Sequence, residues 1–397
     1  MRIIKLPVNS GHCHLEFCFV NGSQVEPVGY KGLMHLIEHL HFRDSSSDYL
    51  KDAKEKLEGL GVLLNAYTSD QCVSFHATFL PDHFDSVSEL LKYIVYNPTF
   101  LDEDISIEKE VVLREAIDYE TNPLSKATLN FKSLLFTDDW CSTIGLKEDI
   151  ASANSEKVWD LYRNTFGLHN LLVMLSGPRD FLDRVDNRVF LPEMTKLRKY
   201  PRNLIYNLNT PKTTESRHDQ EGLGSCYFRS GYVIPLHKFS SDKERNEVRT
   251  VLNICSEMLG SGLSSPLYKE VREKRGLCYS IASGYDLGTR EDIFAIVSQL
   301  NPDKISSARV VIDNVLSTFC DDEATFNFAK NKIINSHRWS LVNPELRVSE
   351  KTLEYLSNYK IPSEDYFNTE MSYDKFCYIV KRFDLMNPSR FSTYILT

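Results

Sequence analysis

His35, Glu38 and His39 stand in the order H-x-x-E-H in a chain of 397 residues. On a helix, positions four apart lie one above the other on the same face, so both imidazoles can reach one metal ion. Glu38 falls close enough to that face to hold a water molecule beside the metal. Two imidazole ligands and an adjacent carboxylate are the parts of metal-assisted hydrolysis. A tetrahedral catalytic site wants a third protein ligand and an open position, and the acidic stretch 103–120 offers candidates. Glu108 and Glu115 are seven apart, two helical turns, and point the same way, whereas Glu110 lies on another face. Ile107, Val111 and Val112 are expected to form the apolar side that packs this helix on the core. By composition alone, Glu108 and Glu115 read as a solvated helix face.

Those residues need elements to position them. Residues 14–20 read as a strand, 29–42 as the helix carrying the histidines, and 48–58 as a second helix ending at Gly59 and Gly61. Strands are expected at 61–67 and 72–80, the second with Val73, Phe75, Ala77 and Phe79 on one face. Helical periodicity returns at 83–96 and 103–120, the latter ended by Asn122-Pro123, and Leu171–Leu175 is a short apolar strand. From 181 to 223 the composition is polar and proline-broken, which marks an inter-domain connection. A strand at 225–234, a helix at 241–259, a Gly/Ser stretch and a basic helical segment at 267–275 follow. Strands at 277–285 and 292–299 and helices near 303–318 and 323–338 complete the pattern. The second half therefore repeats the element order of the first, and helices set apart from hairpin-connected strands indicate α+β domains.

The length suits two domains. Hydrophobic residues are 42% and charged residues 25%, a globular rather than a disordered balance. A formal net charge of -9 argues against a general nucleic-acid partner, and no stretch is apolar enough for a membrane span. Polar Asn9, Ser10 and His12 argue against a secretory signal, and nine scattered cysteines without a C-x-x-C pair read as reduced core thiols, hence a cytoplasmic protein.

Together the motifs resemble the pitrilysin/insulinase family of zinc peptidases, the inverzincins, and in particular its short dimeric members related to mitochondrial processing peptidase. The resemblance rests on His35-Leu-Ile-Glu38-His39, on Glu108 and Glu115 in E-x-x-x-x-x-x-E, and on Asn122-Pro123, with Glu115 lying 76 positions after His39. Gly32 and Phe42 beside the histidine motif fit as well; His41 departs harmlessly. By this resemblance His35, His39 and Glu115 are the zinc ligands, Glu38 is the general base and Glu108 supports the site without binding metal. Asn65-Ala66-Tyr67-Thr68 resembles the family's N-A-x-T on the edge strand to which a peptide adds, so Asn65, Ala66 and Thr68 are implied substrate contacts. Without the resemblance, Asn65 and Thr68 read as polar residues of a hairpin turn. Arg272 and Tyr279 fit the family's R-x-x-x-x-x-x-Y, an arginine for substrate carbonyls and a tyrosine hydroxyl for the oxyanion; alone they read as a solvated helix end and a packed strand residue.

The implied architecture is two homologous α+β domains, each a mainly antiparallel sheet packed against helices, forming half of a clamshell. Residues 1–200 are expected to form the zinc-binding peptidase domain and 201–397 the domain carrying the Arg/Tyr motif. The implied activity is zinc-dependent hydrolysis of peptide bonds in short or unfolded polypeptides, including leader or precursor processing. The alternative is an inactive structural or partner subunit of the same fold. The implied partners are a peptide substrate and a second copy of the chain, or a homologous subunit. One departure concerns the start: the first core strand, near Phe17–Val20, arrives early, so the first sheet is one strand short unless Met1–Lys5 supplies a compressed strand. His12-Cys13-His14, His76, Gly260-Ser261-Gly262 and Cys278 do not form further metal, phosphate or thiol sites by their spacing.

Overall fold

Alternating apolar residues build two five-stranded sheets. The computed structural model describes residues 1–45, 47–136, 142–193, 197, 215–288, 291–358 and 371–397. The first sheet holds β1 (Arg2–Pro7), β2 (Cys13–Phe19), β3 (Leu63–Thr68), β4 (Val73–Phe79) and β5 (Leu171–Gly177), in the spatial order β1-β5-β2-β4-β3. The second holds β6 (Glu215–His218), β7 (Cys226–Pro235), β8 (Cys278–Asp286), β9 (Glu291–Leu300) and β10 (Ser392–Leu396), in the order β6-β10-β7-β9-β8. Each sheet is antiparallel except for one pair, β1 with β5 and β6 with β10. The two orders correspond strand for strand, so the repeated element order is also a repeated topology. β1 is the compressed strand left open by the sequence, and it completes the first sheet by pairing with β5.

Met1–Asp118, Asp139–Leu208 and Arg338–Lys360 form one compact unit; Tyr119–Asp138, Asn209–His337 and Ile361–Thr397 form the other. Each half of the chain thus contributes a helix to the sheet of the other half. The helix Pro123–Leu135 packs Ala127, Phe131 and Leu135 with Val233, Tyr394 and Leu396 in the second unit. The helix Pro344–Asn358 packs Val348 and Leu356 with Cys18, Leu172 and Met174 in the first. The boundary expected at 200/201 lies outside the described residues. Asn122-Pro123 also does more than end a helix. Asn122 accepts from the N–H groups of Leu124 and Ser125, and Pro123 takes the first helical position, where its missing N–H costs nothing.

In the first unit, Leu15, Phe17, Phe19, Phe75 and Ala77 face the buried residues of the histidine helix, Leu33–His41. His41 points into this core, its Nδ1 2.7 Å from the Ile37 carbonyl oxygen and its ring against Phe75 and Phe166. The helix Asp102–Thr121 corrects one expectation. Ile107 and Val111 are exposed, and the packed stripe is Ile105, Glu108, Val112 and Ala116. At about 100° per residue, Ile107 lies some 200° round the helix from Ile105, so those two cannot face the core together. The eight described cysteines are free, and no helix among the described residues is long and apolar enough to cross a membrane.

On the other face of the first sheet His14 is buried, its Nδ1 2.8 Å from the Thr78 hydroxyl oxygen and its ring 5.1 Å from that of His76. Burial, followed by the His76 and His12 charges, pushes His14 down to about 3. In the unfolded chain a histidine titrates near 6.5, so below that pH the unfolded state binds a proton that folded His14 refuses. The stabilising contribution is therefore present above about pH 6.5 and is lost as the pH falls towards 3, at up to about 1.4 kcal/mol per pH unit. His14→Gln should flatten the fall in stability between about pH 6.5 and 4, measured by urea unfolding. Parallel pH profiles for both proteins would remove this assignment.

Candidate active site

The first turn of the histidine helix is held by residues distant from the metal motif. Gly32 precedes the helix at φ 94°, a left-handed conformation that favours glycine. A Cβ at Gly32 would stand 2.8 Å from the Ile144 oxygen and 2.9 Å from the Gly145 Cα. Buried Glu26 accepts from the N–H groups of Gly32 at 2.8 Å and Met34 at 2.6 Å, satisfying donors that the helix start leaves unpaired. Burial pushes Glu26 up to about 8, against the pull of those two N–H groups.

Leu33, Met34, Leu36, Ile37 and Leu40 seat the helix in the core and turn His35 and His39 to its open side. Their Nε2 atoms are 3.2 Å apart, and Glu115 Oε2 lies 3.6 Å from that of His35 and 3.8 Å from that of His39. Ligand atoms of the three residues fall within 4.8 Å of one another, the one such group among the described residues. Ligands about 2.0–2.1 Å from a tetrahedral zinc lie about 3.3 Å apart, so these separations fit a single ion. His39 Nδ1 is 3.0 Å from Glu108 Oε2. An ionised carboxylate only accepts, so that contact puts the proton on Nδ1 and leaves the Nε2 lone pair facing the shared point. Burial, with the His39 charge second, pushes His35 down to about 4, which keeps its imidazole neutral as a metal requires.

The two glutamates of one helix therefore take different places. Glu108 is on the packed stripe and reaches the far nitrogen of His39, while Glu115 flanks that stripe, 44% exposed, and reaches both Nε2 atoms. Glu108 is itself held. Arg43 donates to Glu108 Oε1 at 3.4 Å and to Asp104 Oδ1 at 3.0 Å, and Ser45 donates to the same Asp104 oxygen at 2.6 Å. Glu38 is buried beside the histidines, and the Thr68 hydroxyl donates to its Oε2 at 2.6 Å. Burial raises the Glu38 carboxyl, opposed by the Thr68 hydrogen bond and the His39 charge. Oε1 of Glu38 has no partner among the described residues.

β3 is the last strand of its sheet, so one side of its backbone has no strand beside it among the described residues. Asn65 is exposed there, and its Oδ1 accepts from the Ala66 N–H at 2.8 Å.

Comparison with known proteins settles the lineage. The profile described as Insulinase (Peptidase family M16) matches residues 8–137, and that described as Peptidase M16 inactive domain matches 186–333. The chain belongs to the insulinase family, peptidase family M16. An uncharacterised zinc protease of Mycobacterium leprae is 25% identical to this M16 chain over 322 residues, covering 79% of the chain and 70% of the relative. An uncharacterised zinc protease of Bacillus subtilis is 25% identical over 323 residues, covering 78% and 74%. The structure of a protease from Helicobacter pylori matches the fold with a TM-score of 0.84 at 17% identity, covering 100% of this chain and 96% of that one. A peptidase M16 inactive domain from Pseudomonas fluorescens matches with a TM-score of 0.83 at 16% identity, covering 99% and 94%.

In the second unit of the M16 chain, Arg272 and Tyr279 are brought together. Arg272 lies on the helical turn Tyr268–Glu273, its guanidinium 4.8 Å from the Tyr268 ring centre and 5.7 Å from that of Tyr279. Tyr279, 73% exposed, stands at the start of the edge strand β8, and is not the packed strand residue it could have been. Sequence reading missed Glu26, Arg43, Asp104 and Gly145. Asp104 sits four residues before Glu108 on the same helix, a spacing that could have drawn attention to it, whereas Arg43 lies past the end of the histidine helix. Glu26 and Gly145 carry no such signal.

Proposed function

We propose that this M16 chain is a zinc-dependent endopeptidase that hydrolyses peptide bonds of short or unfolded polypeptides, with Glu38 as general base. The observation that carries the reading is the convergence of His35 Nε2, His39 Nε2 and Glu115 Oε2 on one point, with the buried carboxylate of Glu38 on the same helix. His35, His39 and Glu115 would hold the ion, whose chemistry when bound is Lewis acidity towards a carbonyl and acidification of water. Glu108 fixes the tautomer of His39 and is in turn oriented by Arg43. Glu38, with Oε2 taken by Thr68, has Oε1 to accept a proton from the attacking water and return it to the leaving amine. Main-chain groups along the open side of β3 bind an extended peptide largely without reading its side chains, and Asn65 exchanges its hold on the Ala66 N–H for the substrate. Arg272 and Tyr279 are proposed to hold substrate carbonyls and the developing oxyanion. The proposed assembly is a homodimer, following the short members that the sequence resembles.

One preparation tests the reading. Purified chain should carry about one zinc per chain and sediment as a dimer. It should cleave an unstructured peptide of about 20–40 residues and largely spare the same segment inside a stable folded host, whose unfolding costs about 5–15 kcal/mol. A protein free of zinc after mild purification, or one that binds zinc yet cleaves nothing in a peptide library read by mass spectrometry, would show the peptidase reading to be wrong; the second result would favour an inactive partner subunit.

A further inference from the structure

Thr68 was expected to touch bound peptide, yet its hydroxyl donates to the buried carboxylate of Glu38. We infer that Thr68 is a positioning residue, which fixes the orientation of the Glu38 carboxylate and couples it to the strand where peptide adds. The inference rests on the peptidase reading above. A glutamate's terminal torsion has broad, weakly defined minima, so packing along the side chain does not set the plane of its carboxylate. A charge-assisted O–H···O contact of 2.6 Å does, and it leaves Oε1 as the oxygen able to take a proton.

The hydrogen bond comes from β3 itself. Thr68 is the last residue of that strand, paired across to Val73 of β4, and its neighbour Tyr67 faces the opposite side of the sheet. There the Tyr67 hydroxyl donates to Glu16 Oε1 at 3.1 Å, a buried carboxylate that also accepts from Ser74 at 2.6 Å and from Thr352 at 3.1 Å. Consecutive residues at the end of the edge strand are thus tied to two buried carboxylates, one on each face. Tyr67 pins the strand to the sheet; Thr68 carries its position to the base. A shift of β3 when a peptide pairs with it would reach Glu38 through one hydroxyl. Misplacing a reacting group by about 1 Å can cost 10²-fold in rate, so this single contact has leverage on turnover.

The test separates positioning from substrate contact. In wild type, Thr68→Val and Thr68→Ser, kcat and KM are measured on a fluorogenic peptide, together with zinc content. Peptide affinity is measured by fluorescence anisotropy in the Glu38→Gln background, with and without Thr68→Val. Thr68→Val should lower kcat about 10- to 100-fold, with KM and zinc content little changed. Thr68→Ser, which restores the hydroxyl, should recover most of the rate. Thr68→Val should leave peptide affinity unchanged in the Glu38→Gln background. A fall in that affinity, a loss of zinc, or a serine variant as slow as the valine variant would overturn the inference while an active wild type upheld the peptidase reading. A wild type that cleaves no peptide removes both.

Discussion

Glu38→Gln should lower turnover by about 10²–10⁴-fold and leave zinc bound. The substitution keeps the shape of the side chain and can still receive the Thr68 hydroxyl, but it removes the group proposed to take the proton from water. None of the three converging ligand atoms belongs to Glu38, so metal binding should survive. Burial already raises the Glu38 carboxyl, which moves it towards a base able both to accept a proton and to give it back. Single-turnover cleavage of a peptide, with zinc measured on the same sample, checks both halves. Residual activity above about a tenth of wild type would mean that another group activates the water.

The second large effect concerns the two glutamates of the helix Asp102–Thr121. Glu108→Gln should weaken zinc binding about 10- to 100-fold, the usual result of removing a partner that orients a ligating histidine. It leaves three ligand atoms in place but loosens the ring of His39 and the choice of nitrogen that carries the proton. Glu115→Gln should weaken binding further than that, because it removes an anionic oxygen from the group itself. Competition with a chelator, followed through the metal rather than through activity, ranks wild type, Glu108→Gln and Glu115→Gln in that order of falling affinity. If Glu115→Gln bound zinc as tightly as wild type, the third ligand would have to be another residue.

The histidine pair and its carboxylate neighbour were legible because the relation among them is local. Positions four apart on a helix share a face whatever the rest of the chain does, so the motif fixes its own geometry. The alternation of Val73, Phe75, Ala77 and Phe79 likewise required a strand with one face in the core, and β4 is that strand. The family resemblance added the pairing of Glu115 with the histidines, which spacing within a helix could not supply.

Periodicity determined which residues share a face, but not which face is buried. Ile107 and Val111 looked like the packed side of their helix, and the tertiary structure instead buried the stripe holding Glu108. That choice divides the work of the glutamates, because the buried one meets the far side of His39 and the half-exposed one meets the two Nε2 atoms. Thr68 met Glu38 only because β3 closes its sheet beside the histidine helix, and Arg43 met Asp104 only because the segment after that helix runs beside the helix Asp102–Thr121. The exchange of the helices Pro123–Leu135 and Pro344–Asn358 between the two halves of the chain has the same origin, since each packs against apolar residues of the other half's sheet. Spacing along the chain determines what a single helix or strand presents. Contacts between elements depend on which apolar faces bury each other, and that balance is decided by the whole fold.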